Sequence, residues 1–192
     1  KLFFFIPSPF SFLEPICFLS TRILKKLLET DGDLSGQDLC EQLGVSRTAV
    51  WKYMKQLKEE GYEIEAVQNK GYCLKDVPDV LGESEIKSRL HTRWAGQTLY
   101  YYDEIDSTNT QIKRLAEEDA PHGTLAVADY QSRGKGRRGR AWDSPHGSAI
   151  YMSILFRPEI RPDRASMLTL VIGLSVTQAI RSNLGLQAQI KW

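Results

Sequence analysis

Charge of one sign is nearly absent from this 192-residue chain: 25 Lys and Arg against 24 Asp and Glu leave a formal net charge of +1. No bulk field draws it to nucleic acid, an acidic substrate or a membrane surface, so any such partner has to be met by a local patch. Cysteine and histidine are also scarce. Cys17, Cys40 and Cys73 stand far apart in no metal-ligand spacing, and so sparse and odd a set reads as reduced, buried thiols of a cytoplasmic protein. His91, His122 and His146 have no second His or carboxylate at i+4, so no metal site built by the protein is expected.

The first twenty residues, KLFFFIPSPFSFLEPICFLS, lack both an apolar period and the uninterrupted run of about 20 residues that a bilayer needs. Pro7, Pro9 and Pro15 each disfavour a continuous helix, and with Glu14 they spoil a signal-peptide core. Residues 1–19 are therefore set apart as an atypical apolar stretch, and the opening Lys in place of Met suggests a fragment or a misplaced start.

Organised pattern begins at Thr21. Ile23, Leu24, Leu27 and Leu28 recur at helical spacing to about Thr30, and a turn around Gly32 follows. Ser35 caps a second helix ending at Leu43, with Leu39 and Leu43 inward and Gly44 closing it in the left-handed conformation. Ser46 caps a third, whose Val50, Met54 and Leu57 face inward. Two helices joined by a short Gly turn form a helix-turn-helix, and the next stretch, 62–74, alternates around Asn69-Lys70-Gly71 as a hairpin wing does. The N-terminal end of the third helix, Ser46, Arg47 and Thr48, with Trp51, Lys52 and Lys55 on its outer face, is the candidate DNA-contact surface. The alternative is a helical packing module with a solvated basic face, since Thr21–Lys75 holds nine basic and nine acidic residues. Against it, within the third helix Arg47, Lys52, Lys55 and Lys58 all precede its first acid, Glu59, which concentrates positive charge where phosphates would lie.

Residues 76–84 read as a linker between a 20–75 winged helix and an 85–192 domain of strands alternating with helices. The expected elements are a short helix over 85–90, strands over 99–105, 124–131 and 149–156, and a helix from the Asp106–Asn109 cluster to about Ala120. An apolar helix over 167–184, with Leu170, Leu174 and Ile180, and a strand from Gln187 complete the reading.

The segment QSRGKGRRGRAW, Gln131–Trp142, carries most of the chemistry. Five cations, Arg133, Lys135, Arg137, Arg138 and Arg140, fall within eight residues among three glycines, a density that favours bound anions. An exposed stripe for RNA or DNA is the competing reading. Gly134, Gly136 and Gly139 match a dinucleotide fingerprint literally, but the helix that must follow is denied by Asp143, Ser144, Pro145 and Gly147. A Walker loop fails because Gly136 follows Lys135 where Ser or Thr is required.

Winged helix, then Ser107-Thr108-Asn109 after a strand, then the glycine- and arginine-rich loop ending in Trp142, then Ile190-Lys191-Trp192: in this order the chain, over 21–192, resembles biotin protein ligases with an N-terminal repressor domain. The resemblance implies an α+β fold, a winged helix-turn-helix followed by the first part of a mixed-sheet ligase domain. It implies that Ser107, Thr108, Asn109 and Gln131 bind biotin, that Lys135, Gly136 and Arg137 hold its carboxylate and the adenylate phosphate, and that Lys191 adds a cation, with Arg137 and Lys191 catalytic. The implied cofactors are biotin, ATP and Mg²⁺, with biotinyl-5′-AMP as intermediate and corepressor. The implied partners are a biotin carboxyl carrier protein, operator DNA and a second copy of the complete protein, with no membrane. The family carries Arg where this chain has Lys135, exchanging a planar fork for a point charge. It also continues beyond its Lys-Trp pair, so residues 1–192 alone are expected to catalyse poorly and to expose sheet edges. A winged-helix regulator with a non-catalytic sensor domain, or a lipoate-attaching relative, are the alternatives.

Overall fold

A computed structural model describes residues 14–68 and 70–191. The chain divides into two compact units, Lys1–Phe156 and Arg157–Trp192.

The first helix, α1 (Glu14–Glu29), begins earlier than Thr21, inside the stretch set apart on its prolines. Pro15 lies in its first turn, where a backbone N–H has no intrahelical partner to lose. Pro7 and Pro9 lie outside the described residues. After Thr30 a two-residue strand, β1 (Asp33–Leu34), precedes α2 (Gly36–Leu43) and α3 (Arg47–Glu59). Both helix caps are formed as the sequence suggests. Ser35 Oγ accepts from the Asp38 N–H at 3.3 Å and Ser46 Oγ from the Ala49 N–H at 3.2 Å. Between the helices Gly44 turns the chain at φ 67°, a conformation that costs residues with a Cβ. The wing is β2 (Glu63–Val67) paired with β3 (Gly71–Asp76), and β1 adds to the other edge of β3, giving the order β1-β3-β2. Asn69, at the expected turn, lies outside the described residues. Ile23, Leu24, Leu39, Val50, Met54 and Leu57, each at most 2% exposed, form one core with Tyr53, Tyr62 and Ile64. Each fully buried Leu or Ile contributes about 1.5–3 kcal/mol.

The short helix α4 (Glu83–Ser88) starts two residues before the expected 85 and packs against α1. Tyr62 donates to Glu85 Oε2 at 2.7 Å, and burial together with that carboxylate pushes the phenol well above its ordinary range. Next come β4 (Leu99–Ile105), α5 (Thr108–Glu117) and β5 (Leu125–Gln131). The strands β4 and β5 run parallel, a geometry that requires a crossover, and α5 is that crossover. Two short strands, β6 (Gly134–Lys135) and β7 (Ala141–Trp142), lie within the basic segment, followed by β8 (Tyr151–Ile154), shorter than the expected 149–156. Antiparallel pairing of β8 with β5 makes a mixed sheet of order β4-β5-β8. Central β5 is buried through Ala126, Val127 and Ala128, while Ile112 and Leu115 of α5 pack on Ala126.

The second unit holds a short 3-10 turn, Pro162–Arg164, and α6 (Met167–Leu184), ended by Gly185. The apolar helix forms over the expected residues, but Leu170, Val171, Leu174 and Val176 are exposed and only Thr177 is buried. By length and composition alone, Pro162–Leu184 could cross a membrane. No strand forms over 187–191, contrary to the expectation from Gln187, because a strand needs a ladder partner and, among the described residues, α6 is the only long element of this unit. Trp192 lies outside the described residues.

Candidate functional site

In a parallel pair the chain leaves both strands on the same side, and such carboxyl ends are where open α/β sheets bind ligands. The register sets Ile105 beside Gln131, so the turn after β4 and the segment after β5 emerge together. Two backbone bonds hold them: Ser132 N–H to the Ile105 carbonyl at 2.9 Å and Arg133 N–H to the Asp106 carbonyl at 2.8 Å.

The turn is ordered by neighbours more than by its own hydroxyls. Ser107 occupies the N-cap position of α5 with extended backbone, yet its side chain makes no cap hydrogen bond. Asp106 Oδ1 accepts from the Ser107 N–H at 2.7 Å, and its other oxygen pairs with Arg114 Nη2 at 2.8 Å. The Arg114 guanidinium holds this carboxyl below its ordinary value, against the opposing effect of burial and with a lesser contribution from the Ser107 N–H. Thr108 donates both its N–H (2.8 Å) and its hydroxyl (3.1 Å) to Gln131 Oε1. Ser153 Oγ of β8 then donates to Thr108 Oγ1 at 3.0 Å. Ser107 and Thr108 are buried, and Asn109 is exposed.

Beyond Gln131 the basic segment folds as a tight hairpin, with Gly134 opposite Trp142 and Lys135 opposite Ala141. Only glycine fits at 134: a Cβ there would lie 2.4 Å from the Trp142 carbonyl oxygen and 2.8 Å from Ser144 Oγ. At the tip, Arg138 takes φ 59°, a left-handed conformation that an arginine adopts at a cost. Lys135 Nζ reaches across to Thr110 Oγ1 of α5 at 3.1 Å, which brings the loop onto the turn. Among the described residues no carboxylate forms an ion pair with Arg133, Lys135, Arg138 or Arg140, so these cations remain available to an anion. A hairpin here, with no following helix, agrees with setting aside the dinucleotide reading.

Three polar groups of this network carry no signal in the sequence: Thr110, Ser144 and Ser153 meet their partners across 25, 13 and 45 residues. A further pair, His146 Nδ1 and Asp129 Oδ2 at 2.7 Å, has Tyr130 stacked on the imidazole. The hydrogen bond from His146 holds Asp129 below its ordinary value. An open cleft of about 1130 Å³ is lined by Glu60, Asp79, Glu85, Asp103 and Asp129 without a single Lys or Arg, and is thus unsuited to a carboxylate or a phosphate. Among the described residues no three His, Cys, Asp or Glu side chains cluster as metal ligands.

The other candidate surface is α3. Ser46, Arg47, Thr48, Trp51, Lys52 and Lys55 are all exposed there. Arg47 Nη2 donates to Gln37 Oε1 at 2.8 Å, which fixes it against α2, and Lys55 pairs with Glu59 at 3.6 Å. The Ser46 hydroxyl is already engaged as a cap. Lys191 is exposed and belongs to the second unit, whereas the turn and the loop belong to the first.

Known families match the helix-turn-helix and the sheet region separately. Residues 20–73 match the HTH domain family and residues 101–192 the biotin/lipoate A/B protein ligase family. The bifunctional ligase/repressor BirA of Bacillus spizizenii is 47% identical over 159 residues, covering 83% of this chain and 49% of that protein. BirA of Escherichia coli is 35% identical over 159 residues, covering 82% and 48%. A solved biotin protein ligase from Aquifex aeolicus, in complex with biotin and ATP, is 36% identical over 50% of this chain and 39% of its own, with a TM-score of 0.44. The chain thus spans about half the length of the curated relatives it matches.

Proposed function

We propose that this chain supplies the operator-binding domain and the first part of the catalytic domain of a biotin protein ligase that also represses biotin genes. The observation that carries the reading is the junction of turn and loop: Gln131 on Thr108, and Lys135 on Thr110, bring a polar, partly buried turn against a glycine-rich cationic hairpin. A small acid that must meet a nucleotide phosphate needs that pairing.

Under this reading Ser107, Thr108, Asn109 and Gln131 line the biotin side, and Lys135, Gly136 and Arg137 face the carboxylate and the α-phosphate. One biotin carboxylate oxygen attacks the α-phosphorus of ATP, the bond to the bridging oxygen breaks, and pyrophosphate leaves with biotinyl-5′-AMP formed. Mg²⁺ arrives on the ATP phosphates. A lysine amine of a biotin carboxyl carrier protein then attacks the acyl carbon, AMP leaves and the amine loses a proton. Two anions meet in the first step, so cations and backbone donors that meet the developing charge without reorganising lower its barrier. The hairpin closes over the mixed anhydride and excludes water. Lys135 in place of the family's arginine keeps the charge and gives up the bidentate fork. Lys191 serves as a second cation on the phosphate.

For the repressor half, the exposed face of α3 enters the major groove of the operator, and two copies of the complete protein reach two half-sites. The proposed bounds are 20–75 for the winged helix, 76–84 for the linker and 85–192 for the ligase part, with the protein acting in the cytoplasm without a membrane role. The resemblance and the family match on 101–192 support reading α6 as a helix of the ligase domain.

Pyrophosphate release on adding biotin and MgATP to the full-length protein carrying this sequence tests the proposal, beside Arg137→Ala. The expected result is release that requires biotin and falls about a hundredfold or more in the variant. Biotin-independent release, or none from folded protein, refutes the ligase and leaves a DNA-binding sensor.

A further inference from the structure

Ser144 is 1% exposed, lies outside the turn and the cationic loop, and makes three hydrogen bonds, two with Gln131 and one with Trp142. Its hydroxyl oxygen is 2.9 Å from Gln131 Nε2 and 3.4 Å from the Trp142 carbonyl, and its own carbonyl accepts from the Gln131 N–H at 3.2 Å. The polarity of this network can be read from one group. The Thr108 N–H is a donor only, so the Gln131 amide must turn its oxygen to Thr108 and its NH₂ to Ser144. Ser144 Oγ therefore accepts from Gln131 and has its single proton left for the Trp142 carbonyl. From β8 the other arm runs in the same sense: Ser153 donates to Thr108 Oγ1, which donates to Gln131 Oε1. The base of the cationic hairpin rests on the same hydroxyl, since Gly134 approaches Ser144 Oγ so closely that a Cβ would lie 2.8 Å from it.

We propose that Ser144 is a positioning residue of the ligand site: its hydroxyl ties the amide orientation of Gln131 to the seating of the 134–142 hairpin over the Thr108 turn. Without it, the Gln131 NH₂ loses its acceptor, the Trp142 carbonyl loses its donor, and turn and hairpin move independently. The kinetic consequence rests on the ligase reading; the mechanical one does not.

The experiment has an arm for each, both on the full-length protein. Limited trypsin digestion without ligand compares cleavage within 133–140 with cleavage at Arg47, Lys52 and Lys55, which serve as an internal reference. Ser144→Ala should speed nicking of the hairpin about tenfold over the reference sites. Gln131→Glu, which can no longer donate and so draws the Ser144 proton away from the Trp142 carbonyl, should loosen the same segment selectively. Uniform acceleration at all sites, or no selective change in either variant, overturns the proposal. In the second arm, Ser144→Ala should raise KM for biotin about tenfold while kcat stays within about twofold. A fall in kcat at constant KM is the mark of lost active protein and contradicts positioning. If wild-type protein releases no pyrophosphate at all, the ligase reading falls while the nicking ratio still decides the role of Ser144.

Discussion

The winged-helix region and the sheet region of the first unit are stabilised by different means. From Leu19 to Val77 apolar side chains from α1, α2, α3 and the wing converge on one core. Between Leu99 and Phe156 the shared core is small, around Ile112, Leu115, Ala120 and Ala126, and Ile150 and Met152 stay exposed at 67% and 55%. What orders the sheet region at the carboxyl ends of β4 and β5 is a directional chain of hydrogen bonds through Ser153, Thr108, Gln131 and Ser144. Apolar burial is non-directional and tolerates small shifts, whereas such a chain ties a definite geometry to a definite set of donors. The first region is built for stability, and the second for placing groups.

This contrast is broken most severely by truncating the first core. Leu57→Ala should cost about 2–5 kcal/mol by urea unfolding. Met152→Ala, at an exposed position of β8, should change stability by less than about 0.5 kcal/mol. Comparable losses from the two would remove the distinction. Next in size is Gly134→Ala, whose added methyl meets the Trp142 carbonyl. It should cost about 1–3 kcal/mol locally and abolish biotin-dependent pyrophosphate release, with unfolding of the winged helix unchanged by circular dichroism. Ser46→Ala should lower stability by about 1 kcal/mol through the lost cap of α3, measurable as a shift in the unfolding midpoint.

Smallest is a pH effect. Arg114, with the Ser107 N–H, lowers the Asp106 pKa in the folded state. Its stabilisation is therefore present above the unfolded carboxylate value and is lost as pH falls through the folded one. Since the pair is largely exposed, solvent screens most of it. Melting temperature followed downward from neutral pH should fall slightly less steeply in Asp106→Asn than in wild type; identical slopes would remove Asp106 from the ordering of the turn.

The two regions also differ in how plainly their sequences announce them. Ser35, Gly44 and Ser46 act within three or four residues of themselves, so α2, the turn and α3 could be read directly. The start of α1 was hidden because three prolines argue against a helix, while one of them falls in a first turn that tolerates it. Strand β1 is two residues long and exists only through its pairing with β3, so no periodicity marks it. At the site, the Ser107-Thr108-Asn109 turn and the cationic segment stood out by composition and order, but their contact depends on the parallel register of β4 and β5. Thr110, Ser144 and Ser153 stayed illegible for the same reason, as did the role of Asp106 in capping a turn whose own hydroxyls look elsewhere. At the far end, Gln187–Ile190 has the alternation of a strand and no neighbouring strand in its own unit to pair with.

The most direct test of one shared ligand site is backbone hydrogen exchange in the full-length protein, titrated with biotin in the presence of MgATP. The expected result is that amides of 107–110 and 132–142 gain protection together, at the same biotin concentration, while α3 is unchanged. Protection of only one segment, or of neither at saturating biotin, would contradict a site made jointly by the turn and the hairpin.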